Sequence, residues 1–311
     1  MPIVSRRRFV VGNAIVFLLT LVAVSAFAGQ TPKARTSMLV TADWLSQHIN
    51  DPSLIVLHVG DKAGFDEGHI PGAQYIQTSD LSTPKGEGLT LEMPPLDDLK
   101  ATLERFGISD NSTIMVYFGK DWVSPTARVL LTLDYVGLGD RASMLDGGMP
   151  AWIAAGGTLS KDGRTPTPGS LHLHPNTDIV VKYDWVRSHL ADERVAIVDS
   201  RTPEFYSGNK PGMMPRAGHI PGAISIPFNS LGDSLNRVSD AASLRKIFDD
   251  AGISSDKTVV TYCHIGQQAS FGYFIAKYVG YDVRLYDGSF EEWSRNPELP
   301  VVNPSEQPTK E

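Results

Sequence analysis

Short apolar runs alternate with amphipathic stretches along most of the chain. In the second half a helical pattern over residues 183–190 precedes the run Val195-Ala196-Ile197-Val198, which ends in Asp199. A Gly- and Pro-rich stretch leads to Ala223-Ile224-Ser225-Ile226. There follow a helical pattern over 241–251, the strand pattern Thr258-Val259-Val260-Thr261-Tyr262, a helical pattern over 271–278, and Val283-Arg284-Leu285-Tyr286. Short apolar strands alternating with helices predict an α/β fold with a mostly parallel sheet. Sheets of that kind place their sites at the carboxyl ends of strands.

The pattern occurs twice. Gly68-His69-Ile70-Pro71-Gly72-Ala73 recurs as Gly218-His219-Ile220-Pro221-Gly222-Ala223, and Asp43-Trp44-Leu45 as Asp184-Trp185-Val186. Gly107-Ile108-Ser109 recurs as Gly252-Ile253-Ser254, and Asp146-Gly147 with Trp152 as Asp287-Gly288 with Trp293. Each copy is of ordinary domain size, well above a solenoid period. The boundaries read as 36–156 for the first domain, 157–177 for a Gly/Pro/Ser-rich linker, 178–302 for the second domain and 303–311 for a polar, fraying tail. Within the linker, Leu171-His172-Leu173-His174 alternates like a strand. The paired histidines His69 and His219 are expected to bond backbone in a turn, and the paired tryptophans to lie in the core.

Residues 1–28 read as a leader. Arg6-Arg7-Arg8 forms a basic start, residues 13–27 are mainly apolar, and Ala26-Phe27-Ala28 offers a small-x-small cleavage site. Ser5-Arg6-Arg7-Arg8-Phe9-Val10 resembles a twin-arginine signal. The apolar run is short for a span, so the expectation is export to a bacterial periplasm with no membrane span left after cleavage.

Composition is that of a globular protein, with 41% hydrophobic and 20% charged residues. The net charge of −7, with three leader arginines and no leader acids, excludes the basic face a nucleic-acid partner needs. A local positive pocket for a small anion remains compatible with it.

Cys263 is the only cysteine, so no internal disulfide is possible. It ends a strand pattern and is followed by His264-Ile265-Gly266-Gln267-Gln268-Ala269 and then a helix. Backbone N–H groups in such a loop, with the helix N-terminus behind them, favour thiolate over thiol. The competing reading is an inert buried cysteine. No second cysteine supports Cys-x-x-Cys redox chemistry. Apart from His172 and His174, no clustered ligands suggest a metal, and no cofactor motif is present.

The duplicated Gly-His-Ile-Pro-Gly-Ala turn, Val198-Asp199-Ser200-Arg201, Tyr262-Cys263-x-x-Gly266, and Asp287-Gly288 with Trp293 together resemble the tandem rhodanese-like sulfurtransferases. The resemblance covers nearly the whole mature chain. It implies two tandem domains, each a mostly parallel five-stranded sheet flanked by helices. It also implies a Cys263 persulfide, made from a small anionic sulfur donor such as thiosulfate or 3-mercaptopyruvate and discharged to a thiophilic acceptor such as cyanide or a thiol. Arg201 would bind the donor together with His264, Ile265, Gly266, Gln267 and Gln268, and Asp199 would brace the loop. Phe118 stands opposite Cys263 in the first copy, and His58 and Gly60 opposite Asp199 and Arg201, so that copy is expected to be non-catalytic. Lys120 and Trp122 are candidates to reach across from it. The loop Cys-His-Ile-Gly-Gln-Gln matches neither the thiosulfate-type Cys-Arg-x-Gly-x-Thr nor the mercaptopyruvate-type Cys-Gly-x-Gly-x-Thr pattern. A potential cation at His264 favours thiosulfate. Phosphatase relatives of the fold need an arginine at the sixth position after the cysteine, which is Ala269 here. The alternative function is an exported persulfide carrier that hands sulfur to a partner protein.

Overall fold

The computed structural model describes residues 1–2, 33–120 and 123–306. The leader reading, Asp121, Trp122 and the end of the tail therefore lie outside the described residues.

Each copy builds one parallel five-stranded sheet. The first holds β1 (Leu39–Val40), β2 (Leu54–Val59), β3 (Gln74–Ile76), β4 (Thr113–Phe118) and β5 (Ala142–Leu145), in the order β1-β5-β4-β2-β3. The second holds β6 (Val180–Val181), β7 (Val195–Asp199), β8 (Ile224–Ser225), β9 (Thr258–Tyr262) and β10 (Asp282–Tyr286), in the matching order β6-β10-β9-β7-β8. The central strands β2 and β4 are almost wholly buried, as helices on both faces require. Register places Asp199 beside Tyr262 in one half and His58 beside Tyr117 in the other.

The helices are α1 (Ala42–His48), α2 (Lys62–Glu67), α3 (Leu96–Arg105), α4 (Ser124–Tyr135) and α5 (Gly148–Ala154), then α6 (Tyr183–Ser188), α7 (Pro203–Tyr206), α8 (Ala241–Asp250), α9 (Gln267–Tyr278) and α10 (Ser289–Arg295). Their starts follow sequence signals: Thr41 accepts from the Trp44 N–H at 3.1 Å, and Asp240 accepts from Ala242 and Ser243 at 3.0 Å. α6 stops two residues short of the predicted helix. α9 begins four residues earlier than its apolar pattern, so Gln267 and Gln268 sit in its first turn rather than in a loop.

The repeated motifs are structural. Pro71-Gly72 and Pro221-Gly222 make tight turns closed by Ala73 N–H to Ile70 O and Ala223 N–H to Ile220 O, each 3.0 Å. Gly72 and Gly222 adopt φ of 76° and 75°, which a side chain would resist. His69 Nδ1 meets Phe65 O at 2.9 Å, and His219 Nδ1 meets Tyr206 O at 2.7 Å. Trp152 and Trp293 are buried.

Three apolar layers result. Two are private to the halves, around Trp152 and around Trp293. The third is shared: α4 packs on α9, and Leu130 and Leu131 join the same core as Phe274 and Ile275. Polar contacts cross beside it. Asp134 takes the Tyr273 hydroxyl at 2.5 Å and the Lys277 ammonium. Two further contacts are reciprocal: Met93 N–H reaches Asp287 Oδ2, and Val238 N–H reaches Asp146 Oδ1, both at 2.8 Å.

The connection between the sheets is strapped to the first half. Ser160 bridges His69, Gly169 N–H donates to Glu104 O, and Asn176 N–H donates to Tyr135 O. Leu171-His172-Leu173-His174 forms no strand. Its backbone is taken by side chains instead, Leu171 N–H by Glu104 and His172 N–H by Asp110. At the other end, Pro304–Glu306 forms a 3-10 turn held by Ser305 N–H to Ser207 O, so the tail is docked at least to residue 306.

Candidate active site

β9 ends at Tyr262 and delivers Cys263, fully buried, to a turn of three residues. Gly266 closes that turn at φ 82°, in the left-handed region, and α9 starts at once. The tightness of the turn brings the backbone N–H groups of Ala269, Ile265, Gln268 and Gly266 to the Cys263 sulfur. Burial pushes the thiol above its ordinary range, and these four donors pull the other way without fully offsetting it. The expected bias toward thiolate is thus opposed by desolvation, which falls on the charged form alone.

The backbone of the turn is gripped from α10. Cys263 N–H donates to Ser289 Oγ at 3.2 Å. Phe290 N–H donates to Cys263 O and Glu291 N–H to His264 O, both at 2.9 Å. Ser289 makes this possible at a φ of 50°, an uncommon conformation for a non-glycine residue.

Arg201 does not present an open fork to the site. It is 1% exposed, and its Nε and Nη2 meet Asp199 at 2.9 and 2.6 Å. Nη2 also donates to Gly218 O at 2.7 Å, and the guanidinium carbon lies 4.2 Å from the Phe290 ring centre. Burial works against its charge, but hydrogen bonds and charge from Asp199, with lesser help from Tyr262 and Cys263, hold it above the usual arginine range. The Nε and Nη2 edge of the fork expected to clasp a donor is therefore taken by Asp199. Asp199 also accepts the Tyr262 hydroxyl at 2.7 Å, and that hydroxyl accepts from Ile220 N–H at 3.1 Å. Asp199 is thus bonded to both Arg201 and Tyr262.

His264 is half-buried, its ring edge-on to Phe205 with centres 4.5 Å apart. Burial, then repulsion by Arg201, lowers its pKa to about 4. At neutral pH it is uncharged, so it offers no cation to a donor anion. The Gln268 side chain bonds to the ring and pulls its pKa weakly the other way. Ile265 and Gly266 serve through their N–H groups, and Gln267 is a half-buried first-turn residue. Lys120 pairs with Glu67 at 3.4 Å on the surface, both side chains exposed. Among the described residues no group of three or more His, Cys, Asp or Glu is placed to hold a metal ion.

In the other half the corresponding positions carry different groups. Phe118 takes the cysteine's place, and His58 is enclosed by Phe65, Tyr75 and Tyr117. Burial, with repulsion by His69, lowers its pKa to about 4.

Sequence reasoning missed Ser289, Glu291, Asp287 and Arg128 as parts of the site. Arg128 had one legible signal: a lone charge between Ala127 and the apolar run Val129-Leu130-Leu131 of α4. Ser289 had none, because its role depends on a backbone conformation.

The sheet order, the duplicated turns and the cysteine cradle define a tandem α/β protein with a single buried cysteine at a strand end of its second half. The sequence profile of the rhodanese-like domain matches residues 41–155 and 182–296, and the chain belongs to that family. It is 32% identical over 262 residues to the thiosulfate sulfurtransferase of Pseudomonas aeruginosa, covering 83% of this chain and 94% of that protein. It is 31% identical over 288 residues to the sulfur carrier protein TtuD of Thermus thermophilus, covering 88% and 99%. The crystal structure of an anaerobic ergothioneine biosynthesis enzyme from Chlorobium limicola superposes with a TM-score of 0.76 at 25% identity, covering 86% of this chain and 70% of that one.

Proposed function

We propose that this protein is a sulfurtransferase working through a Cys263 persulfide, with thiosulfate as the favoured donor. One observation carries the reading: the only cysteine stands at the end of β9 with four backbone N–H groups directed at its sulfur. The thiolate attacks the outer sulfur of thiosulfate, a Cys–S–S bond forms, and the S–S bond of the donor breaks with its electron pair leaving on sulfite. A thiophile, cyanide or a thiol, then attacks the outer sulfur and returns the thiolate. The N–H groups serve twice, stabilising first the thiolate and then the persulfide anion. Arg201 adds positive potential beside the dianionic donor. Support for thiosulfate over 3-mercaptopyruvate comes from the names of relatives such as the Pseudomonas aeruginosa protein, since His264 is neutral. Export to a bacterial periplasm, on the strength of the leader read in residues 1–28, belongs to the same proposal.

A second reading has its own support in the resemblance to TtuD: a carrier that holds the persulfide and releases it only to a partner protein. Intact mass and turnover on wild type and Cys263→Ser separate the two. Gain of one sulfur atom by wild type alone, with thiocyanate released on adding cyanide, is the expected result. Mass gain without turnover selects the carrier. No gain with thiosulfate or 3-mercaptopyruvate overturns both.

A further inference from the structure

We propose that Arg128, carried by the half without the cysteine, is a positioning residue of the Cys263 site, reaching across the interface to hold the Gly266 turn against Asp287 and thereby tuning the stabilisation of charge on the sulfur. The proposal rests on Cys263 being the reactive group.

Arg128 is 1% exposed on α4. Burying a guanidinium costs several kcal/mol unless charges and hydrogen bonds compensate it. Its compensation is partial. Nη2 donates to Leu91 O and lies 2.7 Å from Asp287 Oδ1, whereas Nε and Nη1 have no hydrogen-bond partner among the described residues. Nη1 lies close against Gly266 of the cysteine turn: a Cβ there would stand 3.0 Å from it and 3.2 Å from Asp287 O. A buried cation with unmet donors thus sits directly behind the turn that supplies N–H groups to the sulfur.

The segment it contacts is the one that grips Cys263. Asp287 leads into Ser289, Phe290 and Glu291, which hold the backbone of Cys263 and His264. The first half grips this segment at two more points, Met93 N–H on Asp287 and Thr90 N–H and Oγ1 on Glu291 at 2.9 and 3.1 Å. The arrangement is one-sided. α4 and α9 are both twelve residues long, and the position of Arg128 in α4 is that of Phe271 in α9. Asp146, the counterpart of Asp287, has the exposed loop residues Arg237 and Asp233 as its charged neighbours and no buried arginine. A buried arginine crosses the interface toward the half that holds the cysteine, and the matching position in α9 carries no charge. The other charged and titratable groups around Cys263 are Arg201, Asp199, Tyr262 and His264, together with Asp287, Glu291 and Glu292 on the α10 side.

The test is a pH titration of thiolate ultraviolet absorbance on wild type, Arg128→Lys, Arg128→Gln and Arg128→Met. Cys263 is the only cysteine, so subtracting the Cys263→Ser titration, which carries the tyrosinate absorbance, leaves the thiolate signal of Cys263 alone. Loss of the charge in the Gln and Met variants is expected to raise the thiol midpoint by about one pH unit, the scale set by a nearby opposite charge. It should also lower kcat for sulfur transfer about tenfold with little change in KM, and Lys should restore most of the midpoint. A midpoint unchanged in folded Gln or Met protein overturns the proposal, as does a Lys variant shifted as far as Gln. A merely structural role would lower the urea midpoint and leave the thiol titration in place. The titration uses no sulfur donor, so failure of sulfur uptake is a separate result.

Discussion

His58 and Asp199 occupy the same place in the two sheets, each beside a tyrosine whose hydroxyl accepts a backbone N–H, from Ile70 in one half and Ile220 in the other. Asp199 is fully buried and paired with Arg201. His58 is kept neutral and needs no counterion, which is why Gly60 suffices where Arg201 would stand. That neutrality has a pH signature. The folded pKa of about 4 lies below the ordinary 6.5, so between these values the unfolded chain binds more protons than the folded one. Stability is fully present above pH 6.5 and is lost as pH falls toward 4, by up to about 3 kcal/mol for this residue. Urea unfolding of wild type and His58→Leu across that range should show a shallower acid slope in the variant. His264 adds a second slope of the same sign, since its pKa is lowered to a similar value. The residue types of this site were readable from the chain, Cys263 and Asp199 above all. The ion pairing of Arg201 was not, because Arg201 two residues past Asp199 is compatible with an open fork and with a closed pair. Which one forms depends on Gly218 O and Phe290, both remote in sequence.

At the scale of elements, the site depends on where α9 begins. An apolar pattern starts the helix at Phe271, but Gly266 in the left-handed region lets the backbone enter the helix directly, so the first-turn N–H groups of Gln268 and Ala269 reach the sulfur. Periodicity sees only buried side chains and is blind to a first turn that uses its backbone. Gly266→Ala tests the point. Forcing a Cβ into the left-handed region costs about 1–2 kcal/mol in backbone strain alone. The contact with Arg128 and Asp287 O adds to it. Turnover should drop by roughly 100-fold, by analogy with the loss of one oxyanion donor, while the urea midpoint falls only modestly. Equal loss of both would show the turn to be a folding element and nothing more. The Ser289 hydroxyl supports the same turn, and Ser289→Ala should destabilise by about 1–2 kcal/mol by leaving the buried Cys263 N–H unanswered. A urea curve superimposable on wild type would contradict that.

At the scale of the molecule, repetition was the most legible property, because turns that require glycine at positive φ leave a fixed signature wherever they recur. The interface was not legible. Its apolar residues are those of any buried helix, and its polar contacts join residues far apart, such as Thr90 with Glu291 and Asp134 with Lys277. The shared layer makes the two sheets one cooperative unit. Breaking the buried contact with Asp134→Ala should cost about 3 kcal/mol, since it strands the Lys277 ammonium. Far- and near-ultraviolet circular dichroism should still report a single coincident urea transition. Two separated transitions would show that the halves fold independently.

The strap of residues 157–177 has a consequence for concentration. The reciprocal contacts of Asp146 and Asp287, with α4 laid on α9, are those of two like subunits meeting across a near dyad, yet here both subunits are one molecule. A short tether holds its ends at an effective concentration of about millimolar, whatever the bulk value. Specific activity should therefore not change on dilution to nanomolar protein. Cleavage of the strap would make the same contacts obey mass action, and a cysteine site that borrows its support from the other half would then fade as the solution thins.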